Sequence, residues 1–123
     1  MEARILVIDD GLDGWNLLSS VLRTRRYQPI WAADGIQPLS EARKHQPYVI
    51  LRSWSAGGDG FLVLERLKSH RLLSAIPVII VTVRDPAVAE QKAQEYGAVA
   101  FLQKPVKADE LIATIRGVLG QYA

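Results

Sequence analysis

With 123 residues, about half of them apolar and 23% charged, the chain has the size and composition of one globular domain around one hydrophobic core. No apolar run approaches the roughly 18 residues needed to span a bilayer, and the absence of cysteine excludes disulfides and thiolate metal sites. A net charge of +2 gives no general attraction for nucleic acid, so a soluble, cytoplasmic protein with neither a membrane nor a nucleic-acid partner is expected.

The elements follow in chain order. Ile5-Leu6-Val7-Ile8 is a short apolar run of the kind that forms a buried parallel strand. Leu18, Val21 and Leu22 mark the apolar face of a first helix, whose end carries Arg23, Arg25 and Arg26, cations that complement the helix dipole. Gln28 to Ala33 is a weaker strand; Pro29 lacks a backbone donor and suits a sheet edge. Val49-Ile50-Leu51 is the next strand, and Phe61, Leu64 and Leu67 lie at helical spacing after it. Val78-Ile79-Ile80-Val81 follows. Asp85-Pro86 then supplies an N-cap with proline at the first helical position, and Gly97 stands where a left-handed residue ends that helix. Its apolar face of Val88, Ala89, Ala93 and Tyr96 is thin, which predicts a loosely held element. Val99-Ala100-Phe101-Leu102 is the fifth strand, and Leu111, Ile112, Ile115, Val118 and Leu119 form the clearest helical stripe.

Strands alternating with helices imply right-handed crossovers and helices on both sheet faces, hence a five-stranded doubly wound α/β domain spanning residues 1–123. Neither a repeat nor a linker divides it. Ligands in such folds meet the carboxyl ends of the strands. Asp9, Asp10, Arg52, Ser53, Thr82 and Lys104 stand at those ends. Two adjacent carboxylates need water, a divalent cation or basic side chains beside them, and Lys104 offers a point charge that reaches across the strand tips. The two histidines, His45 and His70, are isolated and are expected at the surface.

Ile5-Leu6-Val7-Ile8-Asp9-Asp10, Ala33-Asp34-Gly35, Asp59-Gly60-Phe61, Val81-Thr82 and Lys104-Pro105 together resemble the motifs of the bacterial two-component receiver domains, the CheY-like family, over the whole chain. The resemblance implies a flavodoxin-like sheet of order 2-1-3-4-5 with five helices; CheY is the family example of that order. It implies Thr82 as the hydroxyl of the switch, Phe101 as the aromatic residue coupled to it or else plain core, and Lys104 followed by Pro105 across a bond that is often cis. In the family a metal is held by the residues matching Asp10 and Asp9 and by a phosphoacceptor aspartate.

That aspartate is missing. Counting back from Asp59-Gly60 without a gap places Arg52 at the acceptor position, the preferred register; counting forward from Gln46-Pro47 with a shortened loop places Ser53 there. The family's Met-Pro after the acceptor has no match in Ser55-Ala56 or Gly57-Gly58. Val83 stands where a small residue is expected, and Trp54 and Arg84 fill positions that tune phosphate chemistry in relatives. Two carboxylates, Asp9 and Asp10, balance two cations, Arg52 and Lys104, so the arginine fork is expected to stand in for the ion. Magnesium is then expected to bind weakly or not at all, and no cofactor is implied. The expected function is a phosphorylation-independent pseudo-receiver, not an enzyme, whose partner is a histidine kinase or an output domain or protein. That partner meets the face of the fourth helix, fifth strand and fifth helix; a second copy of the chain is a further candidate. The competing expectation is a working phosphorelay receiver modified at a non-standard residue such as Ser53, or served by an unusual donor. Carboxylates in Asp9-Asp10-Gly11-Leu12-Asp13 repel phosphate, so a flavin or nucleotide site is not expected.

Overall fold

The computed structural model describes residues 3–33, 37–54, 61–83, 86–95 and 97–122, without the side chains of Gln37, Trp54, Pro86, Lys92 and residues 61–63, 88–89, 93 and 121–122. Five strands, β1 (Arg4–Ile8), β2 (Gln28–Ala32), β3 (Val49–Trp54), β4 (Val78–Thr82) and β5 (Ala100–Gln103), alternate with five helices. The helices are α1 (Leu12–Thr24), α2 (Gln37–His45), α3 (Phe61–Ser69), α4 (Pro86–Glu95) and α5 (Ala108–Tyr122). All strand pairs are parallel, in the order β2-β1-β3-β4-β5. Pro29 does lie on an edge strand, opposite Ile5.

Both faces of the sheet are covered, which is why its strands read as continuous apolar runs. One face carries Leu6, Ile8, Ile50, Val78 and Ile80 against Ala42 of α2 and Leu64 and Leu67 of α3. The other carries Ile5, Val7, Val49, Leu51, Ile79 and Val81 against Leu18 and Leu22 of α1 and Leu111, Ile115 and Val118 of α5. β3 runs three residues beyond its apolar stretch, through Arg52, Ser53 and Trp54. Its backbone is paired with β4 over that length, Arg52 to Ile80, Ser53 to Val81 and Trp54 to Thr82. Ladder partners on the neighbouring strand thus override the polarity of the side chains.

Pro86 opens α4 as expected. The side chains of Val88, Ala89 and Ala93, and the residues Asp34, Gly35, Ser55, Ala56, Gly57, Gly58, Asp59, Gly60, Arg84, Asp85 and Tyr96, lie outside what is described. Gly97 adopts φ +90°, the left-handed conformation expected after α4, and the Lys68 stem packs against it. The Lys68 ammonium donates to the carbonyl oxygens of Ser74 (3.2 Å) and Ile76 (3.0 Å), tying α3 to the turn before β4. Burial holds its pKa below the usual lysine value. Gly97→Ala forces a Cβ into the left-handed region, and denaturant unfolding should show a loss of about 1–2 kcal/mol.

Candidate functional site at the strand tips

Asp9 follows directly on β1, and its N–H still donates to the carbonyl of Ala32 at 3.1 Å. Its side chain is buried, 2% exposed. Oδ1 accepts the Gly11 N–H at 2.8 Å, and Oδ2 lies 3.9 Å from the Lys104 ammonium. The N-cap of α1 is Gly11, which has no side chain to cap with. The Asp9 carboxylate, two residues upstream, accepts from the N–H of that N-cap residue and sets a negative charge at the positive end of the helix. Asp10, the next residue, is exposed. The adjacent carboxylates therefore sit in different environments, one held by the fold and one in solvent.

The Lys104 N–H donates to the carbonyl of Thr82 at 2.7 Å, which anchors its main chain to β4; the bond to Pro105 is cis. Thr82 is fully buried, and Phe101, opposite Ile80, is half-buried against the face that packs on α2 and α3. Pro105 is exposed beside the lysine.

Arg52 and Ser53 lie side by side in β3 and so take opposite faces of the sheet. Alternation along β3 turns Arg52 to the face of Ile50, towards α2 and α3, while Ser53 shares the face of Leu51, towards α1 and α5. Asp9 and Lys104 meet on that second side. Arg52 was expected to hold the acidic pair; it is buried instead with its Nη1 donating to the carbonyl oxygens of Ser53 (3.0 Å) and Ile8 (3.4 Å). The ion pair of Asp9 is made by Lys104. The physical reason for the correction is the pleat: a guanidinium one residue along a strand from a site points away from it. The Ser53 Oγ and the Asp9 Oδ2 are buried without a hydrogen-bond partner among the described residues.

Three residues that sequence reasoning did not single out complete the corner. Trp31 donates from Nε1 to the carbonyl oxygen of Asp9 at 3.0 Å. Its ring stacks on Trp15 of α1, with centroids 5.6 Å apart and planes within 7°, and the Arg23 guanidinium lies 5.8 Å above the Trp15 ring. Gly14, in the first turn of α1, leaves room for the Asp9 carboxylate, whose Cγ would lie 2.7 Å from a Cβ there. Glycine in the first turn of a helix was the signal available for Gly14, whereas a contact between tryptophans sixteen positions apart had none. Beside the corner, a mostly apolar cleft of about 420 Å³ runs between α1 and the β5–α5 connection. Leu17, Val83, Pro105 and Val106 line it, with Lys104 at one side.

The donors do not suit the divalent ion that such a corner holds in receivers. Asp9 is turned into α1, the β3 position on its side is a neutral serine, and Lys104 already compensates the charge. Among the described residues no group of three carboxylate or imidazole side chains is arranged to hold a metal.

Over residues 5–116 the sequence matches the family described as the response regulator receiver domain. Protein PilH of Pseudomonas aeruginosa is 35% identical over 118 residues, which cover 95% of this chain and 98% of PilH. The phosphate regulon transcriptional regulatory protein PhoB of Escherichia coli is 30% identical over 97% of this chain, which spans only 52% of PhoB. The chemotaxis protein CheY4 of Vibrio cholerae has the same fold, with a TM-score of 0.85 at 24% identity over 96% of this chain and 99% of CheY4.

Lys104→Met leaves Asp9 buried without its cation. The expected loss is about 2 kcal/mol in denaturant unfolding, less than the roughly 3–5 kcal/mol of a fully buried pair because the lysine keeps some contact with water. Adding Asp9→Asn should recover most of it, since the amide oxygen still accepts from Gly11.

Proposed function

The chain belongs to the response regulator receiver domain family of two-component signalling, and we propose that it is a pseudo-receiver, signalling by protein binding without phosphorylation. The observation that carries this reading is the end of β3, where Arg52 and Ser53 stand and no carboxylate does. A receiver stores its signal as an acyl phosphate, which only a carboxylate can form. Ser53, on the side of Asp9 and Lys104, is the better match to the acceptor position; Arg52 serves the backbone on the other face.

Electrostatics supports the same reading. In an active receiver a metal ion and a lysine compensate three carboxylates. Here the buried carboxylate, Asp9, is compensated by Lys104 and the N-terminus of α1, so the corner is balanced without an ion. Catalysis is not part of the proposal: among the described residues at the strand tips, the Ser53 Oγ has no hydrogen-bonded base.

The partner, a histidine kinase or an output domain or protein, would meet the face made by α4, β5 and α5. Phe101 of β5 is half-buried against the core and pairs with the strand that ends in Thr82, which supports a role for it in that contact. A partner that binds one arrangement of this element more tightly than another shifts it without phosphate, since differential affinity is all that a population shift requires.

The rival reading, phosphorylation on Ser53, is disfavoured by burial: its hydroxyl is 0% exposed. A serine ester would also have to form beside Asp9, a carboxylate that repels phosphate. Incubation with acetyl phosphate and magnesium separates the two. Intact mass measurement should show no phosphoryl adduct, and a stoichiometric adduct mapped to Ser53 would sink the pseudo-receiver.

A further inference from the structure

We propose that Gly14 is a specificity-determining residue: by leaving space in the first turn of α1, it parks the Asp9 carboxylate where it cannot serve a divalent cation. This deepens the pseudo-receiver reading and rests on it only for its functional meaning.

An ideal Cβ on Gly14 would come within 3 Å of every atom of the Asp9 carboxylate, 2.7 Å from Cγ and 2.9 Å from Oδ1. No L-residue with a side chain can stand there while Asp9 keeps its pose. The other glycine of this loop, Gly11, places no such limit, because a Cβ on it would meet Oδ1 at an ordinary 3.6 Å. Nor does the backbone ask for glycine at position 14, the third residue of α1, which lacks the positive φ seen at Gly97. Glycine is a poorer helix former than alanine at such a site. What the missing side chain provides is room for one carboxylate.

The consequence for metal binding follows from where the oxygens point. Oδ1 is spent on the Gly11 N–H, and Oδ2 fills the space a Gly14 Cβ would take and lies 3.9 Å from the Lys104 ammonium, with the residue 2% exposed. A divalent ion at the strand tips needs oxygens turned outward, towards Asp10 and the end of β3. The parked pose offers it none. The obstructing atoms are the end of a side chain with two rotatable bonds, so a methyl group at position 14 would turn the carboxylate outward without displacing the backbone.

Two experiments test this. In a thermal-unfolding cycle, G14A in an Asp9→Ala background should raise Tm, as helix propensity dictates, whereas G14A alone should leave Tm unchanged or lower it. In the second, Ser53→Asp supplies the carboxylate that β3 lacks, and magnesium binding is followed by calorimetry and by tryptophan emission. The G14A/S53D protein should bind magnesium at least tenfold more tightly than S53D. Equal affinity of the two for magnesium, or additive Tm changes in the cycle, would overturn the role of Gly14. The cycle reports on Gly14 whether or not the unmodified chain accepts phosphate, so this inference and the pseudo-receiver reading fail separately.

Discussion

The burial of one carboxylate organises the functional end of this molecule. Asp9 is nearly inaccessible to water, and an ionised group in that position is tolerable only where hydrogen bonds and an opposite charge replace its hydration. α1 supplies the hydrogen bond through Gly11, β5 the charge through Lys104, and Gly14 the space. β1, the start of α1 and the residue after β5 are thereby tied together at one point, and the adjoining cleft is lined by α1, the end of β4 and the β5–α5 connection.

In the proposed reading, the same arrangement is what would separate this chain from receivers that work with phosphate. Their corner is strongly acidic until a metal ion arrives, and this excess of negative charge gives the ion its affinity. On that reading the excess is reduced here in two ways, by a neutral residue at the end of β3 and by the pairing of Asp9 with Gly11 and Lys104. A site whose charges are already satisfied gains little from an ion that must shed water to enter. The fold is kept, because the apolar faces that pack α1 and α5 on one side and α2 and α3 on the other do not depend on the corner.

Trp31 adds a mechanical link. Its indole is bonded to the main chain of Asp9 and stacked on Trp15, so the edge strand β2 is tied both to α1 and to the residue that carries the buried charge. Tryptophan emission is accordingly a local report on the state of the corner.

The architecture was legible in the amino-acid order. Apolar runs, the proline of β2, the opening Pro86 of α4 and the left-handed Gly97 all stand where local rules place them, because strand burial, helix capping and turn geometry are decided by near neighbours. That Asp9 and Lys104 would come near each other was legible too, since the ends of parallel strands come together in any doubly wound sheet. The facing of its residues was hidden. A sheet covered on both sides buries inward and outward positions alike, so the period-two signal that tells the faces apart is erased, and Arg52 was indistinguishable from Ser53 as the neighbour of Asp9. Only the packed structure, with β3 in register between β1 and β4, decides that the arginine turns to one side and the serine to the other. The compensating cation, likewise, came from a strand tip some ninety-five positions away in sequence, at a distance and orientation that no local rule specifies.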